Sequence, residues 1–437
     1  MDYEHDAKSR FPMADPTTTQ WLSRREDPKR PAKSSRRRFL AQAAIGTGII
    51  GLMEMVRRVE ADNTGRAVVS RQESIKITKL ETFVLKNSWV FVKLSTNVGI
   101  VGWGEMLKDR SLTCAAGAQQ VEPYLLGKDP RKVVHHWQAI YRHAFYRGGP
   151  VLTAVLSGID MALWDIKAKA LGMPIYELLG GPTRDKIRVY GGTGDAERGV
   201  VNAIKVGPHA DNRGPYRYVE SPGYVRQAAE NFKDLRERLG PDVDIGIDFH
   251  GVPSPSTAML LIKAMEPYQP FFFEEPIPCQ NVDAMAELAR KTHIPIATGE
   301  RVFTKWGFRE ILEKKAASIL QPDVCYAGGI TELRLIAGMA EAHYVPLAPH
   351  NPQGPCSLAA SCQIAACIPN FLIQEGGARS YEELLKVPFK QQDSYLPVPR
   401  TPGLGIEIDE DKLMAQVGPP QNYPQTYDRD DGSVVDW

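Results

Sequence analysis

The sequence is short of the features that mark several common classes of protein. Its six cysteines, at 114, 279, 325, 356, 362 and 367, form no CxxC pair and no zinc-ligand spacing, so neither a structural zinc site nor a thiol redox centre is expected. The net charge is +1 over 437 residues. That leaves no global basic surface and argues against nucleic acid as a partner. Nowhere is there an uncharged apolar run of 18 or more residues, so no permanent membrane span is expected. What the chain does have is 43% hydrophobic residues, enough to bury the core of one large domain and a smaller one.

Residues 1–61 read as an export signal and polar extension. The first 38 residues are polar and basic, and Ser35, Arg36, Arg37, Phe39 and Leu40 then open a mildly apolar stretch. This resembles a twin-arginine export signal, with Val59-x-Ala61 as a cleavage site. A functional signal would place the protein in the periplasm, and without one it would remain cytoplasmic. Glu54, Arg57 and Arg58 are unusually charged for the end of a signal, so a basic amphipathic arm is the competing reading. A chain exported already folded needs no disulfides, and the thiols are expected to be buried and reduced.

From residue 75 the pattern becomes one of short alternating runs, "IKITKLETFVLK" and "WVFVKLSTNVGIVGWGE". Asn97–Gly99 reads as a hairpin turn, and Gly102 and Gly104 as points of close backbone approach. The helical period of "AVLSGIDMALWDIKAKALG" follows, with Gly172 as its stop. A sheet followed by helices predicts an α+β capping domain over residues 75–184. Eight short apolar runs then recur from "IRVYG" to "FLIQE", separated from the third onward by helix-patterned stretches. The expected fold is therefore α/β: a (β/α)8 TIM-type barrel over residues 185–376. Residues 377–437 are expected to be an extension returning to the capping domain.

Asp248, Glu274, Glu300, Asp323, His350 and Glu375 each close one of these runs, at intervals of 23 to 27 residues. That is about one βα unit apiece, so they should ring the C-terminal mouth of the barrel, the face where barrel enzymes keep their chemistry. Asp248, Glu274 and Glu300 on neighbouring strands would repel one another unless a cation lay between them. All-oxygen ligands select a hard ion, Mg²⁺ with Mn²⁺ as a substitute. Glu275 should point to the other side of its strand as a structural partner. A period of two places Asp248 and His250 on one face, and with no second imidazole or thiolate nearby His250 suits acid/base work better than ligation. Asp323 on the adjacent strand would orient His350 and raise its basicity. A metal flanked by a base suggests removal of a proton next to a metal-bound carboxylate.

The segments "FFFEEPIP", "IPIATGER", "ILQPDVCYAGGITE", "LAPHNPQGP" and "FLIQE", with "FYRGGP" and "GIDMALWDIKAK" upstream, resemble the mandelate racemase branch of the enolase superfamily, and within it the galactonate dehydratases. The resemblance covers roughly residues 75–410. It implies that Asp248, Glu274 and Glu300 bind Mg²⁺, that His350 removes the α-proton with Asp323 behind it, and that His250 protonates the departing β-hydroxyl. It also implies that Glu375 lies by the substrate carboxylate and donates to the developing enediolate. The implied activity is a hydro-lyase acting on a small-molecule sugar acid, D-galactonate first, to give a 2-keto-3-deoxy acid. A homo-oligomer is expected, since such barrels commonly assemble through symmetric contacts. Substrate choice is expected to involve the capping-domain loop with Lys86, Asn87 and Trp89.

Two departures from the family pattern stand out. The second barrel strand reads Lys205-Val206-Gly207 where many racemases of the superfamily carry Lys-x-Lys, which disfavours two-base racemisation and supports dehydration. Galactonate dehydratases also carry an Asn near Gly207. Only Gly192 to Asn202 separate the first two barrel strands, where a parallel crossover with a helix takes a dozen residues or more. The first barrel helix is therefore expected to be missing or severely shortened. The competing readings are a dehydratase or epimerase for another sugar acid and a noncatalytic sugar-acid binder of the same fold.

Overall fold

The computed structural model describes residues 73–208, 217–376, 380–421, 427–428 and 431–435. The chain divides into two compact units, Met1–Ala67 and Val68–Trp437, and every described residue belongs to the second. The export-signal reading of residues 1–61 lies outside the described residues. None of the described helices is long and apolar enough to cross a membrane.

Strands β1 (Ile77–Val84), β2 (Val90–Thr96) and β3 (Val101–Met106) form an antiparallel sheet in that order. Three helices follow: α1 (Ser111–Leu125), α2 (Val133–His143) and α3 (Pro150–Leu171). Pro150 opens α3 at a position that needs no amide donor, and Gly172 ends it in a left-handed conformation at φ 69°. Nearly all of α3 from Thr153 to Ala170 is buried, because it lies between the sheet and the barrel. Gly102 and Gly104 of β3 make that packing possible. A Cβ on either would lie about 2 Å from a backbone oxygen of α3, that of Ala162 or of Gly158 respectively.

The barrel follows. Its first strand, β4 (Lys186–Arg188), extends through parallel bridges at Val189 and Gly191. Strands β5 (Ala203–Val206), β6 (Asp244–Asp248), β7 (Phe272–Glu274), β8 (Ile296–Thr298) and β9 (Ile319–Leu320) pair in parallel in chain order. The seventh and eighth strands pair through Leu320 with Leu347 and Leu347 with Phe371, and Gln374 returns to Val189. The ring of eight is therefore closed. Inside it Tyr190, Ala203, Phe272, Ala297, Ile319, Ala348 and Ile373 form one packed layer, the filled interior such barrels require.

The outer helices are α4 (Thr193–Glu197), α5 (Pro222–Leu239), α6 (Pro255–Met265), α7 (Val282–Ala289), α8 (Thr304–Lys314), α9 (Gly329–Ala342) and α10 (Pro355–Cys367). α4 has five residues, so the first crossover is as short as its length predicted. Parallel pairing survives it, since the Gly191 amide donates to the Ala203 carbonyl at 3.1 Å. The eighth strand differs from a full βα unit. Among the described residues no outer helix follows it, and the chain runs on as an extension. β10 (Tyr395–Pro397) pairs antiparallel with β4, and α11 (Glu410–Gln416) leads to Val417, which bridges Leu85 beside β1. All six cysteines are free, five of them buried and Cys279 partly exposed.

Candidate active site

Side chains two residues beyond the packed layer point into the mouth, because alternate residues of a strand share a face. Ala203, Phe272, Ile319, Ala348 and Ile373 are followed in this way by Lys205, Glu274, Gln321, His350 and Glu375. Asp248 ends β6 and pairs in register with Glu274. Carboxylate oxygens of Asp248, Glu274 and Glu300 all lie within 4.8 Å of one another.

Lys205, which the sequence marks only as half of an incomplete Lys-x-Lys pair, stands at the centre of this cluster. Its Nζ lies 3.0 Å from Asp248 Oδ2, 2.7 Å from Glu274 Oε1 and 3.3 Å from Glu375 Oε1. Burial works against its charge, but these carboxylates outweigh burial and raise its pKa well above the usual lysine value. Gln321 is a second addition, its amide donating to Glu274 Oε2 at 2.6 Å. Burial, then the Asp248 charge, push the Glu274 carboxyl well up. At Asp248 burial is overcome by Lys205 and His250, and the pKa is lowered.

The trio is suited to a divalent cation. All its donors are oxygen, it is mostly desolvated, and the chain itself sets a cation, Lys205, among the acids. Glu300 Oε2 accepts no aligned hydrogen bond among the described residues. These are the ligands a hard ion takes. Glu275, by contrast, faces away and pairs with Arg301 at 2.6 Å, as expected for a structural residue. Burial pushes its carboxyl up to about 7.

Two imidazoles stand at opposite ends of the trio. His250 Nε2 is 3.3 Å from Asp248 Oδ2, and His350 Nε2 is 3.1 Å from Glu300 Oε2. His250 does not reach its place by strand alternation, since β6 stops at Asp248. His250 adopts a left-handed conformation at φ 50°, with its amide donating to Asp248 Oδ1 at 2.9 Å. A turn therefore folds the imidazole back over the carboxylate.

His350 Nδ1 lies 3.0 Å from Asp323 Oδ2. A carboxylate can only accept, so this contact assigns the proton to Nδ1 and leaves Nε2 facing the mouth. Asp323 is held in turn by the Cys325 amide at 2.7 Å and the Gln353 side chain at 3.3 Å. Burial lowers the His350 pKa, but Glu300, Glu375 and Asp323 reverse that and raise it to about 10. A cation on Glu300 would take away part of that field and bring the imidazole toward the working range of a base. Glu375 accepts from the Asn351 amide at 2.8 Å. Burial opposes its charge, yet Lys205, His350 and that amide hold its pKa below the usual value.

The capping-domain loop reaches the same region. Trp89 packs on Tyr381 at 5.6 Å, and the Tyr381 hydroxyl donates to the Gln353 carbonyl at 3.0 Å. Lys86 turns instead toward the C-terminal extension, donating to the Ala415 carbonyl at 3.3 Å. Arg147 is exposed.

Residues 66–180 match the family model of the mandelate racemase / muconate lactonizing enzyme N-terminal domain, and residues 194–412 match the enolase C-terminal domain-like model. A D-galactonate dehydratase of Ralstonia nicotianae is 42% identical, with 83% of this chain and 100% of the relative covered. One from Cronobacter sakazakii is 40% identical over the same shares. A solved enolase of Agrobacterium radiobacter, bound to Na and L-malate, superposes with TM-score 0.76 at 30% identity, covering 82% of this chain and 99% of that one. An enolase superfamily member from Salmonella Typhimurium gives 0.74 at 30% identity, over 78% and 98%. The chain belongs to the mandelate racemase / muconate lactonizing enzyme branch of the enolase superfamily.

Proposed function

We propose that the protein is an acid-sugar dehydratase that holds Mg²⁺, or Mn²⁺ in its place, on Asp248, Glu274 and Glu300 and converts an aldonate, D-galactonate first, to its 2-keto-3-deoxy acid. The observation that carries this reading is the pair of histidines at the two ends of one carboxylate trio. Elimination of water needs a base at the α-carbon and an acid at the β-hydroxyl, and a binding protein needs neither. A cation on the trio would draw off the negative charge that builds on the substrate carboxylate as the α-proton leaves.

His350 Nε2 takes the α-proton, with Asp323 keeping the other ring nitrogen protonated. The electron pair of the broken C–H bond forms the Cα–Cβ double bond. His250 gives a proton to the β-oxygen, which leaves as water, and the resulting enol becomes the 2-keto acid. Lys205 is held as an ammonium and serves as a charge partner for carboxylates rather than as a base. Glu375 is ionised in the free protein. A substrate carboxylate arriving beside it raises its pKa, and the protonated form can then donate to the enediolate. Gly207 offers no second base for racemisation. Relatives named as D-galactonate dehydratases across their full length support the substrate, and a neighbour holding L-malate supports a hydroxy-acid ligand.

The test is to incubate the purified protein with Mg²⁺ and a panel of aldonic and aldaric acids, scoring 2-keto-3-deoxy product by carbonyl derivatisation. Product from D-galactonate, lost in His350→Asn, is the expected result. Product from another acid alone would replace the substrate. No product from any acid, in a folded protein that binds Mg²⁺, would sink the reading. We also propose export by the twin-arginine route, which fractionation of cells expressing Arg36→Lys/Arg37→Lys against the unaltered chain would check.

A further inference from the structure

Most outer helices of the barrel start on a capping residue from their own loop or their neighbour. Ser221 accepts from the Tyr224 amide at 3.1 Å, Ser254 from Thr257 at 3.3 Å and Asn281 from Ala284 at 3.0 Å. At the start of α8 the Lys305 amide donates to Glu332 of α9 at 3.0 Å. α9 and α10 differ. They follow Gly328 and Gly354, which have no side chain to offer, although a helix start needs acceptors for its first amides.

Those acceptors come from the capping domain. Glu105, at the end of β3, accepts from the Gly354 amide at 2.5 Å and the Ser357 amide at 3.0 Å. Asp160, in the middle of α3, accepts from the Thr331 amide at 2.9 Å and the Thr331 hydroxyl at 2.6 Å. Ser157 Oγ accepts from the Gly328 amide at 3.0 Å, and Trp137 Nε1 donates to the Gly328 carbonyl at 2.9 Å. Both carboxylates are almost wholly buried, Glu105 at 0% and Asp160 at 1% exposure. Burial pushes Glu105 up to about 8 and Asp160 up to about 7. A local serine would cap either helix without burying an acid. What the two helices share is position: α9 begins five residues after Asp323 and α10 four residues after His350, counting to Gly328 and Gly354.

We propose that Glu105 and Asp160 are positioning residues of the capping domain, fixing the first turns of α9 and α10 so that the loops carrying Asp323 and His350 hold the base in place. The kinetic half of this inference rests on the dehydratase reading, whereas the geometric half does not. The experiment compares Glu105→Ala, Glu105→Gln, Asp160→Ala and Gly354→Ala with the unaltered Mg²⁺-loaded protein. Gly354→Ala attacks the contact from the barrel side. The φ of −92° suits alanine, but its Cβ would lie 2.7 Å from Glu105 Oε1.

The expected result is loss of amide protection at residues 354–357 in Glu105→Ala and Gly354→Ala, and at 328–331 in Asp160→Ala. With it, kcat falls on the order of 10²-fold, the size of effect a misplaced catalytic group produces, while KM and Mg²⁺ affinity stay within about twofold. Glu105→Gln, which keeps one acceptor oxygen, should recover part of the loss. Lost protection with unchanged kcat would overturn the proposal, and so would a parallel fall in kcat, Mg²⁺ affinity and melting temperature. If the unaltered protein turns over no acid, the dehydratase reading fails separately, and the low-field Nδ1 proton of His350 decides. Its displacement in both Glu105→Ala and Gly354→Ala supports positioning, and an unmoved resonance overturns it.

Discussion

On the third, fourth and fifth barrel strands, Asp248, Glu274 and Glu300 lead into helices capped by Ser254, by Asn281 and, for α8, by Glu332 of the neighbouring helix. On the sixth and seventh strands, Asp323 and His350 lead into helices capped by Asp160 and Glu105 of another domain. The carboxylate side of the mouth is thus complete within the barrel. The imidazole side is finished only when the capping domain docks. Metal binding and removal of the α-proton therefore depend on different parts of the chain, and the two should be separable by mutation.

The largest effect expected is from chelation, which should remove turnover by 10³-fold or more, on the order of the several kcal/mol a bound cation supplies. Far-UV circular dichroism should be unchanged, and Mg²⁺ should restore activity. His350→Asn should then cost roughly 10²–10⁴ in kcat with Mg²⁺ affinity retained, measured by titration calorimetry alongside turnover. A joint loss of affinity and rate would erase the division between the two sides. Within the chemistry, His250→Asn should lose dehydration to a similar degree yet still exchange the substrate α-proton with deuterated solvent, whereas His350→Asn should lose both. Lys205→Met comes next. Charge-assisted hydrogen bonds of about 1.5–3 kcal/mol are removed, so KM should rise about tenfold or more, and a fall confined to kcat would place Lys205 elsewhere in the mechanism.

The carboxylate side was also the more legible in the sequence, for the same physical reason. Asp248, Glu274 and Glu300 follow from strand ends spaced by one βα unit, and the Asp323–His350 pair from adjacency. The sequence shows Lys205 as half of an incomplete Lys-x-Lys pair but not as a member of the mouth cluster, because the long connection after β5 breaks that spacing, although it lies near the end of its strand as the others do. Gln321 could have been found by stepping back two residues from Asp323. His250 was placed correctly for the wrong reason, since a left-handed turn brings it to Asp248 where alternation was expected to. Glu105 and Asp160 were out of reach because their contacts span 249 and 171 positions. Their one local trace is a negative one, glycine at Gly328 and Gly354 where α5, α6 and α7 start on Ser221, Ser254 and Asn281.

The smallest effect is the dependence of stability on pH, and its sign differs between the two sides. Glu105 and Asp160 have folded pKa values of about 8 and about 7, raised from 4.5 and 3.8. The native state therefore binds their protons more tightly than the unfolded chain does. The stabilisation is full below about pH 4 and is lost as pH rises through 7 to 8. Without Mg²⁺ the melting temperature should accordingly fall steadily between pH 5 and 8. Glu105→Gln, which cannot ionise, should flatten that fall. The trio behaves oppositely once a cation is present. A metal binds carboxylates in their deprotonated form and releases any protons they hold, so the gain in melting temperature on adding Mg²⁺ should grow with pH over the same window. Equal slopes with and without Mg²⁺, in both the unaltered protein and Glu105→Gln, would mean that the buried acids of the two sides titrate as one network and that the division drawn between them is false.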